Sequence, residues 1–236
     1  MSNRRIYLDN AAATRLDERV LAAMTPYYLE TYAVATSQFG YSLGIDARDA
    51  LDDARGRIAT VLGADAEELV FTSGDTESSN MALKGVALAL GAKKGRHIIT
   101  SAIEDFAVLN SARALQRQGF EVTILPVDEY GRVSVDDLRG ALRDDTILVS
   151  IQAANQEIGT LQDIEAIGAL CREHDVLYVV DACQSVGQMP VDGRGIPRDQ
   201  RRQGVHVADG RRPHTGTAMV WTAVEEAARA CLDEPW

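Results

Sequence analysis

Three short stretches of this 236-residue chain carry residues whose types and spacing could do chemistry. In the first, Asp181 closes the run Val176-Leu177-Tyr178-Val179-Val180, a β-branched and aromatic segment that reads as a buried strand. An acid at the end of such a strand sits at the carboxyl edge of a parallel sheet, where open α/β folds bind ligands. A carboxylate buried there needs a cation or hydrogen bonds to offset its lost hydration. A protonated pyridine nitrogen is one such cation; capping the following turn is the other use, and the segment alone does not choose between them. Gln184, three residues on, could hydrogen-bond a ligand oxygen at the same edge.

The second stretch, residues 71–80, runs from a strand through Gly74 into a helix that begins Asp75-Thr76-Glu77. Such a turn aims backbone N–H groups and the helix dipole at an anion, and a phosphate suits it. The Thr76 hydroxyl adds a donor. The plainer reading is a capped helix start with Asp75 as N-cap. The third stretch, 154–160, follows another strand and offers the amides of Asn155 and Gln156 to the same edge, for a ligand or for a turn. Cys183 has no cationic neighbour in sequence and reads as a small buried side chain rather than a nucleophile.

Positioning these groups requires a layered scaffold, and the periodicity supplies one. Helices are expected over 16–31 and 46–62. A strand–helix rhythm then follows, with strands at 68–72, 97–101, 120–126, 146–152 and 176–181. Helices fall between them at 75–90, 106–116, 135–142 and 164–173. Alternation of this length predicts βαβ units, hence an α/β fold with a mostly parallel sheet and helices on both faces. Beyond residue 191 the apolar rhythm fades, and 192–204 holds one aliphatic residue. Residues 205–207 and 218–221 are the remaining strand-like pieces, and 223–232 could form a helix.

Composition narrows the function. Hydrophobic residues make up 46%, enough for a substantial core, and no apolar run is long enough to span a membrane. A net charge of −11 argues against nucleic-acid binding. Cys171, Cys183 and Cys231 lack disulfide or metal-type spacing, so no metal is expected and a reducing cytoplasm is the expected setting. The chain has three lysines, Lys84, Lys93 and Lys94, all preceding Asp181.

Taken with Tyr7 to Thr14 and Glu104 to Leu109, these stretches resemble the cysteine desulfurases of the class V aminotransferase family, and the likeness covers about residues 5–191. The resemblance implies the large domain of a fold type I transferase dependent on pyridoxal 5'-phosphate (PLP), with most of the small C-terminal domain missing. By position, Asp75 and Thr76 match the pair that holds the cofactor phosphate. Asp181 matches the acid that pairs with the pyridinium nitrogen, and Gln184 the residue on the ring oxygen. Gln156 stands where the family has an asparagine near that atom. The resemblance also implies an L-cysteine-type substrate, a homodimer and a sulfur-acceptor protein; charge and the lack of a long apolar run leave no nucleic-acid or membrane partner expected. Another class V activity, such as selenocysteine lyase or aminotransferase, shares the same motifs.

The chain departs from that pattern in three places. Asp105 occupies the position of the family's ring-stacking histidine, and it reads as a cap for the helix at 106. Counting back from 217–221 places Asp209 where the Schiff-base lysine belongs, and an aspartate cannot form that bond. The loop carrying the family's sulfur-accepting cysteine has no counterpart, and Cys231 does not match it. The domain division is therefore 1–191 for the cofactor-binding unit and 192–236 for a divergent or frame-disrupted tail. PLP, if held, is held noncovalently and catalysis is impaired, so a non-catalytic remnant or a dimerisation partner is the alternative.

Overall fold

The computed structural model describes residues 6–36 and 40–186, together with the backbone of two strands at 204–208 and 218–222. Two helices come first. α1 (Glu18–Leu29) is capped by Asp17, whose carboxylate accepts the Arg19 N–H at 2.8 Å. α2 (Ser42–Leu62) ends at Gly63, whose left-handed backbone (φ 66°) closes the C-terminus as glycine does without strain. It begins four residues before the expected start, because the Tyr41 carbonyl accepts the N–H groups of Gly44 and Ile45 and so closes a first turn. A 3-10 turn, Ala66–Glu68, then leads into β1 (Leu69–Thr72).

The expected strand–helix alternation follows. β2 (His97–Ser101), β3 (Glu121–Leu125), β4 (Thr146–Ser150) and β5 (Leu177–Asp181) are separated by α3 (Asp75–Leu90), α4 (Phe106–Arg117), α5 (Val135–Ala141) and α6 (Ile164–Glu173). Bounds differ from the expected ones by at most two residues in these elements. The strand-like pieces past 191 become β6 (Gly204–Ala208) and β7 (Ala218–Thr222). The helix expected over 223–232 lies outside the described residues, as does Cys231.

The seven strands form one sheet in the order β1-β7-β6-β5-β4-β2-β3. β7 runs antiparallel to β1 and β6, and every other neighbouring pair is parallel. Every residue of β2 and β4 is buried, as expected for parallel strands covered on both faces. On one face, Leu83 and Val86 of α3 and Val108 and Leu115 of α4 pack on Ile98, Leu148 and Val179. On the other, Leu138 of α5 and Ile167 and Leu170 of α6 pack on Ile99, Val149 and Val180. The alternation of neighbours Ile98/Ile99, Leu148/Val149 and Val179/Val180 between these clusters is the period-2 pleat at work. Four helix-bearing crossings, through α3, α4, α5 and α6, leave the carboxyl ends of β1, β2, β4 and β5 along one edge, beside the starts of α3 and α4.

Candidate functional site

Asp181 is the last residue of β5 and is buried, with 6% of its surface exposed. Its Oδ1 accepts the Cys183 N–H at 3.0 Å, so the turn-capping role read from the sequence is real. Burial pushes its carboxyl up to about 6; the bonds from Cys183 act against this, and the negative charges of Asp75 and Asp105 add to it. A carboxyl in that state gains from a cation placed against it.

Asp75 opens α3 and is buried beside this group. The expected capping role is corrected: Gly74 is the N-cap and offers no side chain, and Asp75 is already inside the helix. Its Oδ1 instead accepts the Ser79 hydroxyl at 2.9 Å and the Cys183 thiol at 3.6 Å. The turn before the helix is held by Glu77, whose carboxylate accepts the Ser73 N–H at 2.6 Å and hydroxyl at 2.7 Å. Those two bonds hold the Glu77 carboxyl below its ordinary value.

Asp105 caps α4 as expected, its Oδ1 accepting the Ala107 N–H at 2.8 Å. Its Oδ2 faces Gln156, whose side-chain amide donates to it at 3.4 Å. Asp75, Asp105, Gln156, Asp181, Cys183 and Gln184 thus line one pocket of about 280 Å³, closed on another side by Asn10 to Ala13. Cys183 is only half-buried and reaches the pocket, which corrects its reading as a simple core residue. Its Sγ and the carboxylates of Asp75 and Asp181 lie within 4.8 Å of one another.

Thr76 is exposed on the first turn of α3 and is not among the pocket-lining residues. Asp209 lies outside the described residues. Among the described residues no lysine, arginine or histidine lines the pocket. Lys94 is ion-paired with Asp175 at 2.6 Å, at the connection entering β5 and so at the opposite edge of the sheet. Lys84 lies nine residues into α3, about 13 Å along the helix axis from its start.

Sequence reasoning missed the support under this wall. Glu104 is buried, and its carboxylate accepts the Gln152 N–H through both oxygens, at 3.0 and 3.1 Å, together with the Ser101 hydroxyl. The side-chain amides of Gln152 and Asn155 both donate to the Ile103 carbonyl, at 2.7 and 3.0 Å. These bonds tie the β2–α4 loop to the β4–α6 loop, and they set Asp105 opposite Gln156. Burial pushes the Glu104 carboxyl up to about 8, against the pull of Ser101 and Gln152. The available signal was its place: an acid three residues past a buried strand, at the same edge as Asp181. Asn10 to Ala13 also line the pocket, far in sequence from its other walls.

The pocket fits PLP at its ring end and in part at its phosphate end. Asp181 offers a buried carboxylate that a pyridinium proton would satisfy, and Gln156 and Gln184 offer amides for a ring oxygen. The start of α3 has no side-chain cap at Gly74, which leaves that helix end suited to a phosphate. The charge of Asp105, at the position where the resemblance implies a stacking histidine, sets this pocket apart.

Comparison with known proteins agrees with this geometry. The family described as Aminotransferase class-V matches residues 6–200. "Cysteine desulfurase IscS" of Methanosarcina thermophila is 47% identical over 197 residues, which are 84% of this chain and 48% of that protein. Among solved structures, a "NifS-like protein" aligns with a TM-score of 0.86 and 36% identity, covering 94% of this chain and 60% of that one. "SspA in complex with cysteine" aligns with a TM-score of 0.84 and 34% identity, covering 92% and 61%. The chain spans about half the length of the curated relatives it matches. By sequence, sheet order and the groups around Asp181, this chain belongs to the class V aminotransferase family.

Proposed function

We propose that this chain is the cofactor-binding part of a cysteine desulfurase-type protein, holding PLP noncovalently and accepting an L-cysteine-type substrate. The observation that carries this reading is the buried Asp181 carboxyl at the end of β5, facing a pocket shared with Gln156, Gln184 and the start of α3. Bound there, PLP supplies an electron sink for breaking bonds at the substrate's α- and β-carbons, the chemistry that releases sulfur and leaves alanine. Asp181 keeps the ring nitrogen protonated by charge pairing. Gln184 and Gln156 orient the ring through its oxygen, and Asp75 and Thr76 lie at the helix start that holds the phosphate.

What this chain's residues do not provide is equally part of the reading. Without a lysine amine at the pocket there is no covalent anchor and no amine to carry a proton, so turnover by the chain itself is impaired. Asp105 replaces a stacking histidine with a helix cap, and Asp209 stands at the lysine position. The cofactor-binding unit is carried by 1–191, with 192–236 a divergent tail. A cytoplasmic, reducing setting suits the reduced thiol of Cys183, and no helix among the described residues is long and apolar enough to cross a membrane.

A second reading has its own observation. α1 buries none of its residues, and Leu21, Tyr27, Tyr28 and Leu29 stay more than half exposed. An apolar hollow lined by Val20, Met24, Tyr27, Leu51 and Ile58 lies between α1 and α2. Exposed apolar surface of this kind favours association, which suits a homodimer, or a remnant that pairs with an intact relative and supports sulfur delivery to an acceptor.

The test is a calorimetric titration of the full chain with PLP, alongside release of sulfide from L-cysteine. Saturable PLP binding with negligible sulfide release is expected. Asp181→Ala should weaken binding at least tenfold, and unchanged binding would remove Asp181 from the site. Sulfide release at the rate of an intact relative would overturn the impaired reading.

A further inference from the structure

We infer that Asp105 is a positioning residue that sets the Gln156 amide as a hydrogen-bond donor to the ring oxygen of the cofactor, an inference that rests on the cofactor reading above. Both residues line the pocket, and Gln156 Nε2 donates to Asp105 Oδ2 at 3.4 Å. These are two positions at which the resemblance implies other residues, a histidine and an asparagine, and here they meet. Asp105 is held in place as the N-cap of α4, its Oδ1 accepting the Ala107 N–H at 2.8 Å. The two loops are also tied together beside it. The Ile103 carbonyl accepts the side-chain amides of Gln152 and Asn155 at 2.7 and 3.0 Å, and the Glu104 carboxylate accepts the Gln152 N–H at 3.0 and 3.1 Å.

An amide side chain carries an oxygen at one end and an NH2 at the other, and the two ends are alike in shape, so its neighbours decide which way it points. An ionised carboxylate only accepts hydrogen bonds. Against Asp105 Oδ2 the nitrogen end of Gln156 is therefore the end that fits, and that nitrogen keeps a second N–H to give. The deprotonated ring oxygen of PLP is an acceptor too, so the amide nitrogen serves it and the amide oxygen repels it. Hydrogen bonds to a charged acceptor are stronger than neutral ones. The helix cap at the histidine position thus selects which end of Gln156 a ligand meets.

The full chain is titrated by calorimetry with PLP and with its 3-deoxy analogue, which lacks the ring oxygen, and the ratio of the two affinities is compared between variants. The unsubstituted chain is expected to favour PLP by about tenfold or more, the scale of one hydrogen bond to a charged group. Asp105→Asn keeps an oxygen to cap α4, and its NH2 then faces Gln156, which must answer with its own oxygen. The expected result is a ratio of about threefold or less with the thermal midpoint unchanged, a combination that loss of a purely structural contact does not give. Gln156→Ala should lower the ratio to the same value, and adding Asp105→Asn to it should lower it no further. A ratio near one in the unsubstituted chain, or a ratio that survives Asp105→Asn, overturns the inference and leaves the cofactor reading standing. A further drop in the double variant shows Asp105 acting without Gln156 and overturns it equally. Failure of both probes to bind overturns the cofactor reading as well.

Discussion

The Glu104 carboxylate grips the Gln152 backbone N–H with both oxygens, at 3.0 and 3.1 Å, from a loop 48 residues away in sequence. This clamp joins the ends of β2 and β4 and holds up the wall on which Asp105 meets Gln156. Its protonation state therefore bears on stability and site geometry together.

Glu104 is raised from 4.5 to about 8 by burial, so the folded chain keeps its proton where the unfolded chain has lost it. The folded state binds more protons over that window, and stability falls as pH rises through it. Above about pH 6.5 most Asp181 carboxyls, held at about 6 in the folded chain, are ionised, and Glu104 is the main contributor. Urea unfolding should show a loss of about 2 kcal/mol between about pH 6.5 and pH 8.5. Glu104→Gln keeps the shape without the charge and should flatten that slope; an unchanged slope would show that Glu104 ionises normally.

His97 is fully buried at the start of β2, its two ring nitrogens paired with Thr146 Oγ1 at 2.7 Å and Thr123 Oγ1 at 2.8 Å. It joins the three strands β3, β2 and β4 at their amino ends. Burial, reinforced by the charge of Arg143, holds its proton affinity below the usual value. The unfolded chain then takes up a proton that the folded one refuses, so this contribution is complete above about pH 6.5 and fades as pH falls below it. His97→Ala leaves two hydroxyls unpaired and a cavity, and should cost about 2–4 kcal/mol in denaturant unfolding. The variant should also lose that acid-side fade.

Asp181 must be ionised to pair with a cationic ring, and without a ligand burial holds its carboxyl at about 6. Affinity for the cofactor, read by calorimetry, should therefore rise with pH through about 6 and level off above it. Asp75, Asp105 and Glu104 are the other acids around this group. Asp181→Asn should bind more weakly and lose the rise; a rise that persists unchanged would take it away from Asp181.

Cys171 and Cys183 differ in reach. Cys171 is buried in the α6 face of the core, and burial pushes its thiol up to about 12, while Cys183 reaches the pocket. Brief treatment with iodoacetamide followed by peptide mapping should modify Cys183 in the native chain and Cys171 only after unfolding. A cofactor-sized ligand should protect Cys183.

The sequence by itself determined the alternation of strands and helices between β1 and β5, since β-branched runs and 3.6-residue periodicity are local properties of the chain. It also determined that Asp181 ends a buried strand, because an acid closing an apolar run has one place to go in a parallel sheet. The tertiary structure alone decided that β6 and β7 enter the sheet between β1 and β5, since strand order depends on pairing across long separations. It alone decided which oxygen meets which donor. The capping of α3 by Gly74 rather than Asp75, the clamp between Glu104 and Gln152, and the facing of Asp105 by Gln156 all arise where separate loops meet at one sheet edge. Spacing along a chain cannot report such meetings, because the distance between two loops is set by the sheet beneath them.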